Sequence, residues 1–247
     1  MTPTPAAIEL QDVHKSFGTQ QVLKGMNLAV ADGETVVVMG RSGTGKSVTL
    51  RLLVGLEKPD QGSVHIHGQD ITNLGGDALN AVRSKIGFLF QEAALYDSLT
   101  VAENVAFPIR HRSDVRKPEK NDRVRELLSF VGMENDGAKM PSDISGGMKK
   151  RVGLARALAL DPDILLFDEP TSALDPITAH EIEDLILKLQ KERHVTSLVV
   201  THDIRGARHY ANRMAFVDQG VIAAIGTLEE LRASRHPFVT EFLREAL

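Results

Sequence analysis

The run Gly40-Arg41-Ser42-Gly43-Thr44-Gly45-Lys46-Ser47 fits the pattern G-x-x-x-x-G-K-[ST] and follows the apolar stretch Val36-Val37-Val38-Met39. Its three glycines let the backbone curl so that successive N–H groups point inward at a nucleotide's phosphates. The helix opening near Gly45 adds its positive end. Lys46 is then placed to reach the β- and γ-phosphates as a point charge, and the Ser47 hydroxyl to ligate Mg2+. The helical pattern Val48, Leu50, Leu52, Leu53 completes the strand–loop–helix context. A glycine-rich turn without function leaves Lys46-Ser47 unexplained. The loop predicts binding of a nucleoside triphosphate; kinases, GTPases, motors and transporters share it, so it leaves the following chemistry open.

A second constellation sits at Asp168-Glu169, which ends the apolar run Ile164-Leu165-Leu166-Phe167. This places two carboxylates at the C-terminal end of a parallel strand, where α/β proteins bind ligands. Asp168 suits the Mg2+ shell and Glu169 the polarisation of a water. An Asp-Glu pair alone reads equally well as a solvated strand end, and the upstream loop tips the balance to function.

The elements that must position these groups follow from periodicity. Ile8 to Phe17 alternates as a strand, and Val22 to Met39 reads as two more, broken at Ala31-Asp32-Gly33. A helix over Gly45 to Leu56 closes at Pro59-Asp60-Gln61-Gly62; strands follow at Ser63 to His67, ending at Gly68, and at Ile86 to Phe90. Between Thr100 and Leu160 the pattern turns helical, near Val101 to Ile109, Glu119 to Val131 and Gly147 to Leu160, with breaks at Pro108, Pro118 and Pro141. Glu92 to about Ser142 therefore reads as a mainly helical insertion. Ile164 to Phe167 and Ser197-Leu198-Val199-Val200 are continuous apolar runs, as strands buried on both faces of a parallel sheet should be. Helices at Ile177 to Glu192 and Ile204 to Tyr210 alternate with them. Strands at Met214 to Val217 and Val221 to Ile225 and two short helices close the chain, with no internal repeat.

Composition narrows the class. The 247 residues, 42% hydrophobic and 25% charged, suit one sizeable globular unit. A net charge of -4 without a long Lys/Arg run argues against a broad basic face, so no nucleic-acid partner is expected. The absence of cysteine excludes disulfides and thiolate metal sites and suits a reducing compartment. No apolar stretch reaches the roughly 18 residues of a membrane span, and Met1-Thr2-Pro3-Thr4-Pro5 lacks signal-peptide features. The expectation is a cytoplasmic protein that reaches a membrane only through partner chains.

Three further motifs stand in order along the chain: Ser145-Gly146-Gly147-Met148 opening a helix, Ser172-Ala173-Leu174-Asp175 after the Asp-Glu strand, and Thr201-His202-Asp203 ending the next strand. Together with the loop and Asp168-Glu169, this set resembles the ATP-binding cassette ATPases over essentially the whole chain. The resemblance implies an α/β P-loop core, with a mixed parallel sheet, flanking helices and an N-terminal antiparallel β-subdomain, plus an inserted α-helical subdomain. It divides one domain, 6–247, into a RecA-like core (6–91 and 143–230), a helical signalling subdomain (92–142, with its signature at 144–148) and a C-terminal tail (231–247). ATP and Mg2+ are the implied cofactors.

In that family two cassettes sandwich two ATP molecules, so each site is composite and one chain alone hydrolyses poorly. The resemblance implies Phe17 stacking on adenine, Gly40 to Val48 on the phosphates, and Ser47, Gln91 and Asp168 around Mg2+. It implies Glu169 as general base, His202 as a clamp between γ-phosphate and water, and Gln91 as a sensor of Mg2+ and that water. Ser145-Gly146-Gly147 would grip the partner's γ-phosphate, and Asp175 would join the two sites across the interface.

Two positions depart from the commonest cassette pattern. The signature is Ile144-Ser145-Gly146-Gly147-Met148, with a thioether in place of an amide, and Val48 replaces a hydroxyl residue after Lys46-Ser47. Neither removes a phosphate-binding backbone N–H. These departures and the segment Phe90 to Val101 look like the Mla/Mce lipid-transport ATPases, which implies phospholipid movement between envelope membranes. The implied partners are two inner-membrane permeases, an MCE-domain lipid-binding protein and a small accessory subunit, with the chain on the cytoplasmic face. The alternative is the ATPase of an amino-acid or other small-solute importer; a soluble, non-transport cassette stands third.

Several features favour plainer readings. His65 and His67, two apart on a strand, share one face, but no carboxylate or cysteine completes a metal site, so a solvated face is expected. Lys149-Lys150-Arg151 falls on the polar side of a helix and reads as surface, possible proximity to ATP aside. Arg110-His111-Arg112 and Arg116-Lys117 flank Pro118 as a solvated linker. Leu95, Tyr96, Leu99 and Val101 follow the Gln91 loop where cassettes receive a permease helix; core packing explains them equally, and both readings stand. The spacing of Phe238, Val239, Phe242, Leu243 and Leu247 predicts a tail helix packed on its own domain.

Overall fold

Alternating apolar residues build the first layer, and continuous apolar runs the second. The computed structural model describes residues 6–110 and 116–246; Met1 to Pro5, His111 and Arg112 of the expected linker, Ser113 to Val115, and Leu247 lie outside the described residues. The strands are β1 (Ala6–Phe17), β2 (Gln20–Ala31), β3 (Thr35–Gly40), β4 (Gln61–Ile66), β5 (Gln69–Asp70), β6 (Ile86–Leu89), β7 (Ile164–Asp168), β8 (Thr196–Val200), β9 (Arg213–Asp218) and β10 (Val221–Gly226). The helices are α1 (Lys46–Leu53), α2 (Gly76–Arg83), α3 (Val101–Ala106), α4 (Lys117–Phe130), α5 (Gly146–Ala157), α6 (Pro176–Arg193), α7 (Ile204–Tyr210), α8 (Leu228–Arg232) and α9 (Pro237–Ala246).

An antiparallel sheet takes the order β2-β1-β4-β5, and a second sheet the order β10-β9-β3-β8-β7-β6. In the second sheet all neighbours pair parallel except the β9–β10 hairpin. Every residue of β3, β7 and β8 is buried, which explains why their sequences show no polar alternation. The side-chain period of two still divides them between two cores. Val37, Met39, Leu165, Phe167 and Val199 face the helical side. Val36, Val38, Ile164, Leu166, Leu198 and Val200 face α1 and the antiparallel sheet.

Local chemistry sets the helix ends. Thr100 and Glu103 form a reciprocal cap on α3. Pro118 sits in the first turn of α4, where its missing N–H costs nothing, so this helix starts two residues ahead of the expected Glu119. Phe238, Val239 and Leu243 of α9 are buried in the helical-side core, and Phe242 meets Phe216 at 5.3 Å. The tail thus packs on its own domain, as expected. Helix α2 and the two-residue β5 had no counterpart in the sequence reading. Two features correct it. His67 leaves β4 with φ at +47°, so it does not share a strand face with His65; and Lys150 is 5% exposed, not a surface residue. No helix among the described residues is long and apolar enough to cross a membrane.

Candidate nucleotide site

Parallel register brings the chemistry to one edge. In β3 and β8, Val38 lies opposite Val200; in β7 and β8, Asp168 lies opposite Val200; in β6 and β7, Leu89 lies opposite Phe167. Gly40, His202, Glu169 and Gln91 are each the second residue beyond one of these pairs, so all four emerge at the C-terminal edge of the sheet. The loop between β3 and α1 turns through Gly45, whose φ of +98° caps the helix. A Cβ there would also stand 2.5 Å from Leu23 Cδ2. Lys46 folds over the loop, its ammonium donating to the carbonyls of Gly40 (2.8 Å) and Arg41 (3.0 Å). Burial lowers its pKa, against the opposing pull of Glu169 and Asp168. Thr44 Oγ1 donates to Arg41 O at 2.9 Å, and Arg41, Ser42 and Gly43 are exposed.

Ser47 Oγ donates to Asp168 Oδ1 at 2.9 Å, pairing the two expected Mg2+ ligands. Burial pushes the Asp168 carboxyl above its ordinary range, aided by neighbouring Glu169, while the Ser47 hydrogen bond, Arg51 and Lys46 act against it. Two hard oxygen donors in contact form a donor set that suits Mg2+. Glu169, at φ +47°, accepts from His202 Nδ1 at 2.9 Å. Because a carboxylate only accepts, Nδ1 carries the proton. Phe17, Val48 and Ser47 line one cavity of about 260 Å3 with Gly43 and Gly45, placing the aromatic ring at the loop's mouth.

The remaining expected residues lie apart. Gln91 is exposed, with no hydrogen bond to the others among the described residues. Ser145 caps α5, its Oγ accepting from Met148 N at 3.3 Å. Gly147 packs so closely on α6 that a Cβ would overlap Thr178 Cγ2. Asp175 caps α6, accepting from the N–H groups of Ile177 and Thr178 at 3.1 Å and from the Thr178 hydroxyl at 2.6 Å. That hydroxyl bond, first among its contacts, holds its carboxyl below the ordinary range. Gly147 of the signature thus packs on the start of α6, the helix that Asp175 caps, and none of these hydrogen bonds of Ser145 or Asp175 reaches the phosphate loop.

Two supporting residues escaped the sequence reading. Lys150 donates to the Glu169 carbonyl at 2.9 Å and lies 3.4 Å from Ser172 Oγ, which donates to the same carbonyl at 2.9 Å. Burial lowers the Lys150 pKa, with Glu92, Glu169 and Asp168 opposing. Arg156 donates to the carbonyls of Ala93 and Ala94, both at 2.6 Å, holding two consecutive left-handed residues after Gln91. Beside that turn, Phe90, Tyr96, Phe107 and Arg156 line a groove of about 370 Å3, with Tyr96 and Phe107 rings 4.5 Å apart. Tyr96 is 46% exposed, whereas Val101 is fully buried and Leu95 packs partly into the core. Val101 and Leu95 therefore serve the core, while Tyr96 stays at the surface.

A β-rich first layer, a parallel sheet and a phosphate loop facing Asp168-Glu169 define an ATP-binding cassette. A family model described as ABC transporter matches residues 23–172, and the chain belongs to that family. It is 42% identical over 240 residues to the methionine import ATP-binding protein MetN of Brucella abortus (strain 2308), covering 97% of this chain and 65% of the relative. It is 41% identical over 241 residues to the probable ribonucleotide transport ATP-binding protein mkl of Mycobacterium leprae (strain TN), covering 98% of this chain and 70% of the relative. Among solved structures, the dimeric post-hydrolysis state of the ATP-binding cassette MJ0796 bound to ADP and Pi superposes with a TM-score of 0.82 at 38% identity, covering 90% of this chain and 98% of that one. The structure of cbiO1 from Clostridium perfringens, part of the transporter complex cbiONQ, gives 0.86 at 28% identity, covering 97% and 96%. The fold is that of the ABC ATPase cassette.

Proposed function

We propose that the chain is the ATP-hydrolysing subunit of a membrane transporter, acting as a homodimer that holds two ATP molecules between protomers beneath two integral-membrane permeases. The observation that carries this reading is the double pairing at one sheet edge: Ser47 with Asp168, and His202 with Glu169. The first pair, joined by Gln91, would hold Mg2+, which when bound neutralises phosphate charge. Lys46 and the N–H groups from Gly40 to Val48 bind the phosphates, and Phe17 covers the adenine. Glu169 accepts the proton of the attacking water, and His202, oriented by Glu169, presents its other nitrogen towards the γ-phosphate. The partner's Ser145, Gly146 and Gly147 close each site. Support for a protomer interface comes from Ile177, 75% exposed two residues beyond Asp175.

The same reading divides the chain into the core (6–91 and 143–230), the helical subdomain (92–142) and the tail (231–247). The Tyr96–Phe107 groove receives the permease, placing the chain on the cytoplasmic face of the inner membrane.

For the cargo, the names of the two relatives, methionine import and ribonucleotide transport, favour import of a small polar solute over the lipid transport expected from the motifs. The lipid reading keeps one observation of its own, the Met148 signature with the Phe90 to Val101 segment, and it alone brings an MCE-domain protein and an accessory subunit. A pull-down of the tagged chain from gently solubilised native membranes separates the two. A permease with a soluble solute-binding protein is expected; a permease with an MCE-domain protein and enriched phospholipid would replace solute by lipid. Recovery of no permease would overturn the transporter reading.

A further inference from the structure

Helices α6 and α7 bring together three side chains that the nucleotide site does not use. His180 and Asp184 stand one turn apart on α6, and His209 faces them from α7; one ligand atom from each lies within 4.8 Å of the others. His180 Nε2 is 3.9 Å from Asp184 Oδ2, and His209 Nε2 is 3.0 Å from Asp184 Oδ1. The two imidazole rings lie 5.1 Å apart, flanking the carboxylate. Donors around a tetrahedral zinc ion, with bonds near 2.0–2.1 Å, stand about 3.3 Å from one another, so modest rotamer changes suffice.

What separates this cluster from an ordinary surface pair is the residue behind it. Glu183, only 6% exposed, meets His180 Nδ1 at 3.2 Å. A carboxylate accepts, so Nδ1 bears the proton and Nε2 turns its lone pair to the shared centre. A buried carboxylate behind a histidine is the outer shell that fixes ring and tautomer in zinc sites. His209 supplies its Nε2 lone pair once its proton resides on Nδ1.

We propose that His180, Asp184 and His209 form a binding site for a borderline divalent transition metal of the Zn2+ class, with Glu183 orienting His180. Two imidazoles and one carboxylate match that ion's preference over Mg2+ and Ca2+, which favour all-oxygen shells. The three side chains are 60%, 57% and 37% exposed, which leaves a coordination position open to solvent. The site joins α6, capped by Asp175, to α7, capped by Asp203, the residue after His202.

The test is titration of the tag-free, chelator-stripped full chain with Co2+ and, by competition, Zn2+, without nucleotide. One tight equivalent with visible ligand-field absorption is expected. His209→Ala and Asp184→Asn should each weaken it at least about tenfold, and Glu183→Gln by about 10-fold or more, while His65→Ala with His67→Ala leaves it unchanged. Absence of a tight equivalent, or wild-type affinity retained in both His209→Ala and Asp184→Asn, would overturn the assignment.

Discussion

Glu169 is held at both ends: its carboxylate by His202 and its backbone carbonyl by Lys150 and Ser172. If it is the base, Glu169→Gln keeps ATP binding and loses at least about 100-fold in turnover; unchanged steady-state hydrolysis would contradict that role. On that reading, Lys150 acts through Glu169 as a positioning residue. Lys150→Met removes one hydrogen bond from the carbonyl, worth about 0.5–1.5 kcal/mol, and leaves Ser172 as its remaining side-chain donor. Turnover should fall about tenfold with KM for ATP near wild type, and Lys150→Arg should recover part of it; an equal rise in KM would point to general misfolding instead. Lys46, Ser47, Asp168 and Glu169 were legible because few residue types serve phosphates and Mg2+, and the spacing left little choice. Lys150 was not. A Lys-Lys-Arg run reads as a solvated face, yet Lys150 shares the buried side of α5 with Gly147 and Leu154, three residues before and four after it. That spacing was the available signal.

At the scale of elements, the fit of α5 against α6 makes Gly147 a packing residue as well as a signature residue. Gly147→Ala should destabilise the isolated chain by about 1–3 kcal/mol through overpacking, measured by denaturant unfolding, whereas Gly146→Ala should not, because a Cβ there meets only Leu174 at 3.9 Å. The groove beside the Gln91 turn carries a functional prediction. Tyr96→Asp should abolish coupled transport in membranes while ATP binding persists; loss of ATP binding would mean that the groove is internal support. Strands β3, β7 and β8 were legible as continuous apolar runs because both of their faces are covered. Helix α2 was not, since its eight residues bury only Leu79 and Val82, too few to establish a helical period. His67 shows the opposite failure: the alternation ran one residue past the point where a left-handed turn ends the strand.

For the whole molecule, the order of motifs carried the cassette fold, and through the family resemblance the expectation of a dimer, whereas the geometry of one chain does not itself display that assembly, because its signature and its phosphate loop do not meet. The account places them together only across a dimer. Cargo is still more remote from the sequence, since a subunit that moves a permease need not touch what is carried. The most direct test of the composite site mixes two inactive variants, Glu169→Gln and Gly146→Asp, and measures ATP hydrolysis. Only the mixed dimer contains a site with an intact Glu169 facing an intact signature, and random pairing predicts recovery of up to about a quarter of the wild-type rate. Activity no greater than the sum of the separate variants, or full activity in Gly146→Asp alone, would contradict the shared site.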